Sequence, residues 1–386
     1  MNNIFQYQDK NNLARKFFLL GLIASVLSYL GYINDPKHFY HSYLVSFVFW
    51  MTLSGGCMFF VLMHYAMNAT WSVGMRRIAE TAMSLIPYVC LFSIPLYFGM
   101  DNLYKWTDTQ YMLNEHLESK ISYLSKGFFI ARTLFYFTCW IIISRALYYH
   151  SVLYSSSKST QTLRKWSGVG TVIFALTISF AAFDWLMTLD PHWYSTMFGV
   201  YIFSGSFLVS IGFITIILIY LRNSGMLFNE ININHYHDLG RIMFGFTVFW
   251  AYIAGFQYYL IWYANLPEEI EWYLARGEGT WMNLSLLLVF GHFIIPFLIL
   301  LFNRAKRVLT LMGLLSLLIL FMHWIDLYWN VLPNLHKETM VFNWSDLTVF
   351  LAHGGFFMSL FWKKLSDYPM VPVNEGRLKD SIEGKY

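Results

Sequence analysis

The chain places ionisable side chains where hydrocarbon would surround them. Arg132 and Asp184 lie within apolar runs 123–149 and 166–188. His323 and Asp326 stand three apart in 308–329, and Asp346 and His353 seven apart in 342–362. His292 sits in GHFIIPF, and His64 near the end of 41–66. A charged group inside an apolar run is costly and is by default a functional candidate. Carboxylates and imidazoles tune each other near neutral pH, so neighbouring pairs can pass protons. The three- and seven-residue spacings each put a pair on one helix face. Arg132 and Asp184 fall on consecutive antiparallel segments and can pair across them; alternatively, Arg132 reaches outward along its stem and Asp184 caps the following turn. That turn, FDWLMTLDPHWYSTMFGVY (183–201), also carries Asp190, Pro191 and His192. The chemistry on offer is proton transfer, or the holding of a redox lipid that gives up protons. Glu80 with Arg76 and Arg77 has helical spacing and reads as a structural ion pair, and Gln257 beside Tyr258 and Tyr259 is a weaker polar signal.

The elements that must position these groups are membrane spans. Of the 386 residues 57% are hydrophobic, 20% aromatic and only 12% charged, against roughly 25% charged in soluble domains. A span needs about 20 mostly apolar residues. Ten segments qualify: 16–33, 41–66, 77–99, 123–149, 166–188, 194–221, 241–264, 281–302, 308–329 and 342–362. The expected fold is therefore an all-α integral membrane protein with ten transmembrane helices. The first run is too long for a cleavable signal peptide and no small-residue cleavage site follows it, so it reads as an uncleaved helix.

Lysine and arginine fix the orientation. Nineteen fall in the N-terminal segment, alternate loops and tail, among them Arg76, Lys158, Lys363 and Lys385; six fall in the other loops. The positive-inside rule then puts both termini in the cytoplasm. The opposite loops, 101–120 and 265–280, are aromatic and acidic and read as docking surfaces or as plain solvated loops. The tail 366–386 is polar, contains Pro369 and Pro372, and is expected to be an extended cytoplasmic arm. Cys57, Cys90 and Cys139 form no CxxC, CxxCH or iron–sulfur spacing, so no haem or iron–sulfur cluster is expected in this chain. The net charge of +4 is spread over short loops and gives no nucleic-acid signal.

Three classes of function fit these observations. One is a quinone-interacting subunit of a redox complex, whose electrons leave to a partner. A haem-b-binding membrane cytochrome is the second, with His64, His292, His323 and His353 as ligands; they come from four helices rather than stacked on two. The third is a proton-coupled transporter, although no pair of short, interrupted spans stands out in matching halves.

Four stretches carry a resemblance: WSVGMRRIAETAMSLIP (71–87), FDWLMTLDPHWYSTMFGVY (183–201), FTVFWAYIAGFQYYLIWYANLPEE (246–269) and VFGHFIIPFLILL (289–301). With the span layout they make the chain similar to the NrfD/PsrC-like membrane subunits, specifically the shorter, ActF-like quinone-binding subunit of bacterial alternative complex III. The resemblance covers 1–386 as one domain. It implies two four-helix bundles, spans 2–5 (41–188) and 6–9 (194–329), flanked by spans 1 and 10, in the bacterial cytoplasmic (inner) membrane. It implies a respiratory complex that oxidises menaquinol and passes electrons to cytochrome c or another high-potential acceptor. The implied partners are the paralogous quinone-binding subunit, an extrinsic iron–sulfur subunit, c-type cytochrome subunits, membrane lipids and a terminal oxidase. Asp184, Asp190 and His192 match the family's turn motif, and His292 matches the histidine of its GHF segment. The longer paralogue is the better candidate for catalysis, which leaves two readings of this chain: one with its own menaquinone/menaquinol site, and one that conducts protons or scaffolds the complex without it. The candidates for a proton pathway or quinone pocket are Asp184, Arg132, His323, Asp326, His292, His353, Asp346 and His64.

Overall fold

The computed structural model describes residues 5–112, 117–152, 157–227, 230–372 and 375–384. Residues 113–116 of the 101–120 loop, the side chain of Lys158, residues 373–374 of the tail, and Lys385 lie outside the described residues. The described chain is helical, and ten long segments carry it: α1 Leu13–Asn34, α2 Pro36–Ala66, α3 Arg76–Phe98, α4 Lys126–Val152, α5 Ser157–Trp185, α6 Phe198–Asn223, α7 Ile233–Ala264, α8 Trp281–Leu301, α9 Leu309–Val331 and α10 Trp344–Asp367. Among the described residues nine helices, α1 to α9, are long and apolar enough to cross a membrane. The segment expected as the tenth span does form a helix, α10. Asp346, His353, Gly354 and Gly355 dilute its apolar stretch, and it is not among the nine.

Local chemistry sets several boundaries. Helix α2 starts five residues before its apolar run, because Asp35 accepts from the His38 N–H (3.1 Å) and Pro36 fills the first turn. Helix α7 starts eight residues early behind an Asn232/His235 capping box. Two spans are broken. Pro87 and Pro95 divide α3 into Arg76–Met83, Ile86–Phe92 and Ile94–Phe98, since each proline lacks the donor a continuous helix requires. Helix α8 widens into a π turn over Leu288–Ile294 just before Pro296. Such a turn is frequent where a helix serves a functional site.

Helices α2 and α6 form the centre, with 94% and 83% of their most apolar windows buried against 22% for α1. They cross where a Cβ on Gly56 would collide with the Ser206 carbonyl, and Ser206 Oγ donates to Thr52 O at 2.6 Å. Close approach of small residues substitutes here for the hydrophobic effect, which is weak between helices in lipid. Helices α5, α9 and α10 pack around α2, and α7 and α9 around α6, while α1 lies along α10. There a Cβ on Gly21 would stand 3.0 Å from Phe356 N.

The tail is not an extended arm. Arg76 and Arg77 share the buried carboxylate of Glu80 (3.2 and 2.9 Å), which leaves one cation in excess; Glu375 supplies the second anion, 2.5 Å from Arg76. Arg377 then donates to Asn68 O (3.0 Å) and Ser381 to Trp71 O (3.0 Å), so the tail is docked on the 67–77 segment.

Replacing Gly56 by Ala should lower stability by about 2 kcal/mol, the scale of overpacking, seen as a lower thermal midpoint of the purified protein. Gly168→Ala on α5, where nothing lies within 4 Å of the added methyl, should leave the midpoint unchanged or raise it. Equal behaviour of the two variants would contradict the close α2–α6 crossing.

Candidate functional site

Three polar clusters lie at the end of the helices that carries the 101–120 and 265–280 loops. The first joins α4 and α5. Asp184 is fully buried and accepts from Arg132 through both oxygens (Nε 2.8 Å, Nη2 2.9 Å), from Tyr123 OH (2.8 Å) and from Tyr136 OH (2.7 Å). Arg132 also donates to Tyr123 O (2.9 Å) and stacks 3.8 Å from the Tyr123 ring centre. The expected Arg132–Asp184 pair therefore forms. With four donors on the carboxylate, the arrangement clamps the two helices together. In the following turn Asp190 accepts from the His192 N–H (3.2 Å), a local turn bond, and the His192 side chain is exposed. Lys120 closes the turn by donating to Pro191 O (2.7 Å); burial holds its ammonium below the ordinary value, opposed by Asp190.

The second cluster joins α6, α7, α8 and α9. Asp326 accepts from Tyr201 OH, from Trp250 Nε1 (3.2 Å) and from Asn330 Nδ2 (3.4 Å). His323, expected to face Asp326, instead turns to α2 and meets Thr52 Oγ1 at 2.9 Å; a Cβ on Gly205 would stand 3.0 Å from its ring. The two share a helix face without a bond between them. His292, in the π turn of α8, lies flat against Trp250 with ring centres 4.0 Å apart, and neither nitrogen has a hydrogen-bond partner. Tyr201 and Trp250 also line a cavity of about 450 Å³ between α7, α8 and the short helix Pro267–Gly277. Its volume is that of a small-molecule site. Trp272, Tyr273, Phe293 and Trp329 give it aromatic walls, and Gln257 and Ser285 give it polar atoms.

Helix Pro267–Gly277 belongs to the loop expected to be solvated or docking. Its acidic residues Glu268 and Glu271 are exposed, but Trp272 and Arg276 turn inward and roof the cavity. Arg276 donates to Trp272 O (2.7 Å), Trp329 O (3.1 Å) and Asn330 O (2.9 Å), stacking 3.4 Å from Trp272. A cation on the last carbonyls of α9 opposes the negative end of its dipole. Burial pulls the guanidinium down to about 9, which leaves it charged at neutral pH.

The third cluster joins α2 and α10. Asp346 accepts from His38 Nε2 (2.9 Å), from Ser42 Oγ and from the Asn343 N–H (2.8 Å), and His38 Nδ1 meets His336 Nε2 at 3.1 Å. Two turns further along α10 His353 Nδ1 meets Ser46 Oγ at 2.6 Å. Asp346 and His353 both face α2, as their spacing implied, but through separate partners. His64 lies apart, bonded to Phe60 O (2.6 Å) and packed on Trp71.

Tyr201, Trp250, Trp272, Arg276, His38 and His336 were not singled out from the sequence as site residues. Tyr201 and Trp250 stood inside the quoted motifs, but nothing in the spacing of aromatics distinguishes a donor to a buried acid from an interface anchor. Compared with models of protein families and with curated proteins, the chain matches none.

The clamp makes a prediction. Asp184→Asn leaves the guanidinium without a counter-ion and should destabilise the protein by about 3 kcal/mol, the cost of breaking a buried pair. In a thermal-melt cycle with Arg132→Met, the double variant should lose less than the sum of the two single losses. Additive losses would mean that the pair is not coupled.

Proposed function

We propose that this chain is a membrane subunit of a quinol-oxidising respiratory complex, and that the cavity between α7 and α8 receives the quinol ring. The observation that carries the reading is the Tyr201–Asp326 bond at the wall of that cavity. A quinol gives up two protons and two electrons when oxidised. Tyr201 can take one of the two protons on its phenolic oxygen while passing its own to Asp326, so a buried carboxylate serves as its acceptor without facing the ring, and the second proton leaves to water through the opening of the cavity. Trp250 and Asn330 hold the Asp326 carboxylate in place for that transfer. Aromatic faces of Trp272, Phe293 and Trp329 suit a flat ring, and Gln257 gives the lining a polar side chain. The electrons leave to an iron–sulfur partner and then to cytochrome c or a similar acceptor.

The assignment to the alternative complex III type follows from the four resembling stretches, with the menaquinol substrate and the partner subunits that type implies. In the same reading the chain has ten spans, grouped as two four-helix bundles with α1 and α10 outside, in the bacterial inner membrane with both termini cytoplasmic. The packing of α2 against α5 and of α6 against α7 and α9 supports such a grouping. Acidic Glu268 and Glu271 on the roof helix offer a surface for an extrinsic partner.

The second reading, proton conduction or scaffolding without a quinol site, draws on the Asp346–His38–His336 chain, which reaches the half-buried His336. Turnover separates the two. In the purified complex Asp326→Asn and Tyr201→Phe should each lower quinol-dependent acceptor reduction by about a hundredfold, the scale of general acid–base catalysis, while a quinone analogue still binds. Unchanged turnover in both variants would leave the chain as conductor or scaffold.

A further inference from the structure

A second cavity, of about 380 Å³, opens between α1, α2, α3 and α10 on the side away from α7 and α8. Tyr29, 62% exposed on α1, stands at its rim, so the opening faces the hydrocarbon rather than water. Its floor is His353, which is 4% exposed and held between two rings, Tyr43 at 4.5 Å and Phe92 at 4.6 Å. The break of α3 before Pro95 shapes this wall: the freed Phe92 carbonyl is taken by Tyr43 OH at 3.0 Å. His353 Nδ1 is committed to Ser46 Oγ, and Nε2, on the opposite edge of the ring, has no hydrogen-bond partner among the described residues.

The Ser46 hydroxyl has two outlets, the His353 nitrogen at 2.6 Å and the Val349 carbonyl at 3.3 Å. When Ser46 donates to Nδ1, the imidazole proton sits on Nε2 and is offered to the cavity. When Ser46 donates to Val349 O, Nδ1 keeps the proton and Nε2 offers a lone pair. One neutral imidazole can therefore donate to a carbonyl or accept from a hydroxyl at the same atom, without carrying charge into hydrocarbon.

From this geometry we infer a second site for a redox lipid, in which the ring of a quinone or its quinol lies in the α1–α2–α3–α10 cavity with one oxygen on His353 Nε2. The two forms of such a ring differ by the switch that Ser46 permits: a quinone oxygen accepts and a quinol oxygen donates. Among the described residues no Lys or Arg lines the cavity, so an anionic phospholipid headgroup finds no partner among them. An acyl chain would use none of the polar features. The inference needs only His353, Ser46 and the cavity, and it stands whether or not the first cavity binds.

Counting sites tests it. The purified full-length protein with its partners, in nanodiscs of phosphatidylcholine, is titrated with 2-heptyl-4-hydroxyquinoline N-oxide, a fluorescent quinone analogue. Two of the bound equivalents should belong to this chain, both displaced by menadione. His353→Leu should remove one, and so should Ser25→Phe, which fills the rim from α1 without touching His353; Ala254→Trp, in the first cavity, should remove the other. If His353→Leu fails to assemble, Ser25→Phe decides alone. An unchanged number of equivalents in Ser25→Phe would overturn the second site, as would a retained phospholipid in its place. Loss of an equivalent in Ser25→Phe with none lost in Ala254→Trp would keep the second site and remove the first.

Discussion

Helix α2 is enclosed by protein along nearly its whole length, so a polar side chain on it must be satisfied within the protein, and several find their partners on a neighbouring helix. That requirement organises the structure. His38 and Ser42 turn to Asp346, Ser46 to His353, and Thr52 to His323; the Thr52 carbonyl takes the Ser206 hydroxyl. Each pairing fixes the rotation of α6, α9 or α10 about the central helix. In a low-dielectric interior an unpaired polar group costs several kcal/mol, so slipping any of these helices by one residue would strand several groups at once. Small residues at the crossings, Gly56 beneath Ser206 and Gly205 beneath His323, let the backbones come close enough for the bonds to form.

With its partners fixed, α9 presents Asp326 to Tyr201 and Trp250, and those two side chains form part of a cavity wall. The other walls depend on irregular backbone. The π turn of α8 brings His292 flat against Trp250, and Arg276 fastens the roof helix to the end of α9. Both cavities thus lie where a regular helix is interrupted, one beside the α8 π turn and the other beside the broken α3. Irregular backbone at membrane depth is tolerated where protein satisfies it, and Tyr43 does so for the Phe92 carbonyl.

Much of this was legible in the sequence, for reasons that differ by element. Apolar length located the long helices, because lipid imposes a minimum span. The Arg132–Asp184 pair was legible because consecutive helices must be antiparallel neighbours. Helix boundaries at α2 and α7 were set by Asp35 and Asn232, caps that lie outside the apolar windows. The His323/Asp326 spacing gave a shared face but not the partners, since side-chain direction on a buried helix depends on which neighbour supplies a donor. Thr52, Tyr201 and Trp250 lie more than 70 positions away from them, and no local pattern links such pairs. The tail was misread because its polarity suggested solvent, whereas the excess cation at Arg76 and Arg77 draws Glu375 back to the protein.

The most direct test of the central claim is photolabelling of the purified complex with an azidoquinone, followed by peptide mapping of this chain. The account predicts adducts within 246–258 or 282–293, lost when excess menaquinol is present and diminished in Ala254→Trp. Labelling of this chain only outside those two stretches, or labelling that menaquinol does not displace, would contradict a quinol ring held between α7 and α8.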